Sequence, residues 1–118
     1  MTGGRPIPSL DARQAQDRYK TGEGEMNRYV IERTVPGAGA MDQAALAAIT
    51  TQSNAVLRDQ GPDIQWLHSY VSDDKITCVY LAENEELIRE HGRCGGFPID
   101  AVLTVHTVID PATSESTR

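Results

Sequence analysis

Chemistry in this chain has to come from few residues. Among its 118 residues there are three His (His68, His91 and His106) and two Cys (Cys78 and Cys94). Neutral imidazole and thiolate are ligands for borderline and soft divalent ions, and imidazole is also the general base best suited to neutral pH. His91 and Cys94 are three residues apart, so on a helix they share a face. A closed tetrahedral zinc site needs a second pair, and none has comparable spacing. Octahedral or square-planar coordination makes a looser demand, because scattered imidazole, carboxylate and water suffice. Glu32 is the carboxylate of most interest, since it interrupts an apolar strand. A buried charge there is very costly unless paired, and His91 is its expected partner. Such a pair either fixes helix docking by a hydrogen bond or tunes His91 as a ligand or base.

Other mechanisms find no footing. Gly37-x-Gly39 follows a strand and Gly95-Gly96 follows a helix, so both read as terminators and not as phosphate cradles. No Gly-x-Ser-x-Gly elbow offers an acyl-transfer serine. Glu83, Glu85, Glu86 and Glu90 cluster in sequence, but on a solvated helix they are surface charge. Lys+Arg number 11 against 17 Asp+Glu, a net charge of −6, which argues against a nucleic-acid partner. No run of about 18 apolar residues offers a membrane span. Two Cys and no apolar leader favour a reducing cytoplasm.

The elements that must position these groups follow from periodicity. Arg28–Val35 is β-branched and aromatic and ends at Pro36-Gly37, as a strand does. Asp42–Asp59 is a helix with Leu46, Ile49, Val56 and Leu57 on one stripe, stopped by Gly61-Pro62. Ile64–Val71 and Lys75–Ala82 alternate as strands joined by a hairpin at Ser72-Asp73-Asp74. Asn84 caps a second helix that carries His91 on its apolar face and ends at Gly95-Gly96. Ala101–Ile109 is the last strand. The order βαββαβ predicts an α+β, ferredoxin-like fold with strand order 4-1-3-2 and both helices on one face of an antiparallel sheet. The other face is left open, and a homodimer through the sheet faces would cover it. Residues 1–26 read as a flexible arm with a possible short helix over Asp11–Lys20, residues 27–110 as the domain, and residues 111–118 as a frayed tail.

Strict alternation sorts the strand residues onto two faces. With the aliphatic set toward the helices, the open face receives Trp66, His68, Tyr70, Cys78 and Tyr80 together with Tyr29, Ile31 and Arg33. Val102, Thr104, His106 and Val108 join them from the last strand, while Glu32 points to the helices. Tyr and Trp suit a dimer interface. The strands of His68 and His106 are about 14 Å apart in this order, so an ion shared between them requires two subunits.

Several segments carry a family resemblance. They are Tyr29-Val30-Ile31-Glu32-Arg33 with Pro36-Gly37, Gln65-Trp66, Ser69-Tyr70-Val71, Asp73-Asp74-Lys75, Cys78-Val79-Tyr80, Glu90-His91, Gly95-Gly96-Phe97-Pro98 and Val108-Ile109-Asp110-Pro111. On these the chain resembles a small, largely bacterial family, well represented in actinobacteria, with nickel-binding members and a ferredoxin-like, dimeric α+β barrel fold. The resemblance implies a homodimer that binds a divalent transition metal, nickel, for sequestration or sensing and not for catalysis. His68, His91 and His106 are then the candidate imidazole ligands, with Glu32 as the carboxylate. A second reading is a small-molecule-binding enzyme of the dimeric α+β barrel type, with His91 and Glu32 as an acid/base pair in a helix–sheet cavity. A third is an interaction module that reaches its partner with residues 1–25.

Overall fold

The central strand, β1 (Asn27–Thr34), is built from the β-branched and aromatic run that starts the domain. It ends at a turn whose Gly37 has φ 79°, a conformation open to glycine at little cost. A short 3₁₀ turn, Ala38–Ala40, leads to helix α1 (Gln43–Gln60). Asp42 caps α1 by accepting from the Ala45 amide at 2.9 Å, and Gly61 terminates it. The hairpin β2 (Ile64–Val71) and β3 (Lys75–Ala82) follows. Asn84 caps helix α2 (Glu85–Gly95), accepting from the Leu87 amide at 3.0 Å, and Gly96 closes the helix in the left-handed conformation. Strand β4 (Ala101–Val105) completes the sheet. This computed structural model describes residues 25–117, so the arm and its short helix at Asp11–Lys20 lie outside the described residues.

All strand pairs are antiparallel in the order β2-β3-β1-β4, the order expected from βαββαβ. One sheet face packs against both helices. Tyr29, Ile31, Ile76, Cys78 and Tyr80 form the core there with Ile88 of α2, and Leu57 of α1 and Leu87 of α2 pack against them. Pro111–Thr117, expected as a tail, forms a 3₁₀ turn started by Asp110, whose carboxylate accepts from the Ala112 amide.

The two faces are the reverse of the expectation. The residues grouped by alternation do share a face, with Tyr29 opposite Tyr80, Ile31 opposite Cys78 and Arg33 opposite Ile76, but this set faces the helices. The aliphatic Leu103, expected inside, is 49% exposed, and Val102 packs on the core instead. The expectation assumed that aliphatic residues would take the helix side. In fact Ser53 and Gln60 interrupt the inward stripe of α1, and Tyr29, Ile31, Arg33, Cys78 and Tyr80 face the helices from the sheet. A β-bulge at Leu67 adds a second departure. Trp66 pairs with Tyr80 in the core, while His68 pairs with Val79, so the bulge separates two side chains that strict alternation placed together. Finally, β4 ends at Val105 and not at Ile109, which leaves His106 outside the sheet. The cause is its partner: β1 begins at Asn27, and Val105 already pairs with Arg28.

The end of α2 shows how closely the layers approach. A Cβ on Gly95 would collide with the Phe97 ring. That ring is held between His91 and Arg33. Gly95→Ala should therefore lower stability by about 1–3 kcal/mol through overpacking, read as a lower urea midpoint with an unchanged slope. An unaltered midpoint would show that the ring turns aside freely.

Candidate functional site

The structure does not gather the predicted ligands. His68 lies on the edge strand β2, exposed, with Nε2 at 3.1 Å from Tyr70 Oη. His106 is exposed beyond β4. Glu32 lies on the sheet face away from the helices, where Lys75 Nζ approaches its carboxylate at 3.5 Å. Both side chains are more than a third exposed, so the pair contributes little. His91 is fully buried on the other side of the sheet, so the expected Glu32–His91 pair does not form. Cys78 is buried and Cys94 exposed. Among the described residues no three His, Cys, Asp or Glu come close enough to hold one ion.

His91 takes its partners from α1 instead. Gln60 Nε2 donates to the Leu87 carbonyl at 3.0 Å, which turns Gln60 Oε1 toward His91 Nδ1 at 3.0 Å. The proton is thereby assigned to Nδ1, leaving Nε2 to accept from the Ser53 hydroxyl at 3.1 Å. Tyr80 and Phe97 flank the ring edgewise and at a tilt. Burial, reinforced by the positive charge of Arg33, lowers the His91 pKa from 6.5 to about 4. The ring is neutral at physiological pH. The line Ser53–His91–Gln60 has the order of a nucleophile, base and orienting group. A base with so low a pKa has little affinity for the serine proton near pH 7, and Ser53 sits inside a regular helix. The arrangement serves to lock α1 onto α2 through a fully satisfied polar network.

Sequence reasoning missed two of these partners. Ser53 and Gln60 fall at i+7 and i+14 from Leu46, so each interrupts the apolar stripe of α1. Polar residues on a buried stripe were the available signal.

Arg33 is the other group hidden by the face assignment. It is 4% exposed, on the helix side of β1. Its Nη1 donates to the Pro98 carbonyl at 2.6 Å, its Nε to Cys78 Sγ at 3.4 Å, and its guanidinium lies 5.6 Å from the centroid of the Phe97 ring. Among the described residues, Nη2 is buried with no hydrogen-bond partner and no carboxylate lies within salt-bridge distance. Beside it a cavity of about 300 Å³ opens between α1 and the sheet, walled by Leu46, Ile49, Trp66, Val71 and Ile76. Arg33, Ser53 and Tyr80 line it as well, whereas His91 stands behind Ser53 and Tyr80. Burial raises the Tyr80 pKa, against the opposing influence of Arg33 and Ser53 on its hydroxyl.

The sequence model of a family described as "Nickel responsive protein SCO4226-like" matches residues 29–105. The chain belongs to the SCO4226-like family. Its structure is similar to the crystal structure of SCO4226 from Streptomyces coelicolor A3(2), with a TM-score of 0.60 at 13% identity, over 70% of this chain and 99% of that one. At that identity the likeness establishes the ferredoxin-like fold alone. No curated protein matches the chain. The SCO4226-like match contains Glu32, His68 and His91, and with them Arg33, Ser53 and Gln60; His106 lies just past its end. For this SCO4226-like domain no described helix is long and apolar enough to cross a membrane.

The lowered pKa of His91 has a definite sign. The folded state resists protonation down to about pH 4, while the unfolded chain takes up the proton near pH 6.5. Its contribution is complete above pH 6.5 and is lost as pH falls toward 4, by about 3 kcal/mol in all. Urea unfolding at pH 7 and pH 4.5 measures this, and His91→Gln should remove most of the difference between the two. An equal acid loss in the variant would locate the sensitivity elsewhere.

Proposed function

We propose that this protein is a cytoplasmic homodimer, with its domain at residues 27–110, that binds nickel or a similar divalent transition metal for sequestration or sensing. The observation that carries this reading is the match of residues 29–105 to a nickel-responsive family. The proposed ligands are His68 and His106, the exposed imidazoles, with Glu32 on the same sheet face as His68 as a supporting carboxylate. His91 is the weakest of the candidates, because both ring nitrogens already have partners. One chain brings no three ligands together among its described residues. Two sheets stacked about 10 Å apart could bring His68 of one copy toward His106 of the other. Tyr70 and Leu103, exposed on the face away from the helices, would be covered in the same event. The surplus of acidic residues, net −6, suits a cation.

The enzyme reading keeps its cavity but loses its acid/base pair, since Glu32 and His91 lie on opposite sides of the sheet.

Titration calorimetry of the full chain with nickel tests the proposal. Binding tighter than about millimolar is expected, together with at least about tenfold weakening in His68→Ala/His106→Ala, the loss of good ligands from the site. Absence of binding, or a double variant that binds as the parent does, would overturn it.

A further inference from the structure

The cavity under α1 has one polar end and otherwise apolar walls, and the polar end is an incompletely paired guanidinium. We propose that this cavity binds a small apolar monocarboxylate, held at Arg33. A buried cation with no counter-ion is an expensive arrangement. Arg33 is 4% exposed, and among the described residues its contacts are a carbonyl oxygen, a thiol sulfur, a ring face and the Tyr80 hydroxyl, none of which carries a full negative charge at neutral pH. Nη2 has hydrogen-bonding capacity left unused. A guanidinium fork matches the two oxygens of a carboxylate in distance and plane. The Tyr80 hydroxyl, which already feels Arg33, lies at the same end of the cavity and supplies a further donor.

The walls decide the rest of the ligand. Leu46 and Ile49 from α1 and Trp66, Val71 and Ile76 from the sheet offer no partner for a second charge. The hydroxyls of Thr50, Ser53 and Ser69 add little polarity, because each is already engaged: Thr50 donates to the Leu46 carbonyl, Ser53 is directed to His91, and Ser69 accepts from Trp66 Nε1. A phosphate, with more oxygens and charge, would leave acceptors unmet. The volume of about 300 Å³ is at the small end of ligand pockets and suits a body of about ten non-hydrogen atoms. Nη2 itself is shielded from solvent, so an entering carboxylate reaches it with a small shift of the side chains around it. This site is separate from the proposed nickel ligands, which lie outside the helix–sheet layer.

The test uses the full chain without added metal and a panel of three acids: 3-phenylpropanoate, octanoate and indole-3-acetate, each with its uncharged primary amide, and acetate as the acid lacking an apolar body. Calorimetry should give at least one of the three acids a dissociation constant of about 10–100 µM, in line with the efficiency of ligands of that size. Its amide should bind about tenfold more weakly or worse, and acetate should not bind measurably. Arg33→Met should erase the preference for acid over amide. Because removing a buried charge can also disturb folding, Ile49→Trp provides a second variant that fills the cavity from α1 and leaves Arg33 in place; it should abolish binding. The proposal is overturned if none of the three acids binds at about 5 mM, a level at least about fiftyfold above the expected constant. It is overturned equally if amides match acids, or if Ile49→Trp binds as the parent does. Nickel added to the complex should leave the acid's affinity unchanged, so the failure of either reading is visible without the other.

Discussion

A full positive charge on the inner side of the sheet is the constraint around which this domain is arranged. Arg33 comes from the central strand and cannot reach solvent, so the segment after α2 comes to it. Pro98 contributes its carbonyl to Nη1, and the Phe97 ring lies beneath the guanidinium. That segment can approach only because α2 ends in glycines. Gly95 leaves room for the Phe97 ring, and Gly96 turns the chain back in a left-handed conformation. The same charge reaches His91, where together with burial it keeps the ring neutral. One side chain thus shapes a loop, a helix terminus and the ionisation of a neighbour.

Neutrality of His91 in turn settles how the helices meet. A neutral imidazole is a donor at one nitrogen and an acceptor at the other, and the Gln60–Leu87 contact selects which is which. The network therefore has a direction, from Ser53 through His91 to Gln60. It holds α1 at the ends of two polar side chains, not by tight apolar packing along the helix. This explains how a cavity persists beneath Leu46 and Ile49 in so small a domain.

Much of the fold was legible because it is written in local signals. Asp42 and Asn84 announced the helix starts, Gly61 and Gly96 their ends, and β-branched runs the strands; the order of elements then specified the sheet. Facing was harder. Alternation reports which residues travel together, and it grouped Tyr29, Ile31, Arg33, Cys78 and Tyr80 correctly. It does not report which side they take, and the assumption that the aliphatic set faces the helices inverted the answer. The bulge at Leu67 has no signature in composition, so Trp66 and His68 were assigned a common face. Ser53 and Gln60 were visible as polar breaks in an apolar stripe, but their meaning depends on His91, which is distant in sequence. A metal site was the least legible of the candidates, since scattered imidazoles carry no spacing rule.

The bulge has a bearing on how copies of this domain can associate. The sheet has two edges, β2 and β4. An edge offers unpaired amides and carbonyls to any passing strand, and long regular edges invite uncontrolled chain-to-chain pairing. In β2 the extra residue at Leu67 breaks the ladder repeat midway, and β4 spans only Ala101–Val105. Neither edge presents a long uninterrupted template. Open-ended growth of the sheet by strand addition is thereby discouraged, while the broad face remains available for closed, self-limiting contacts.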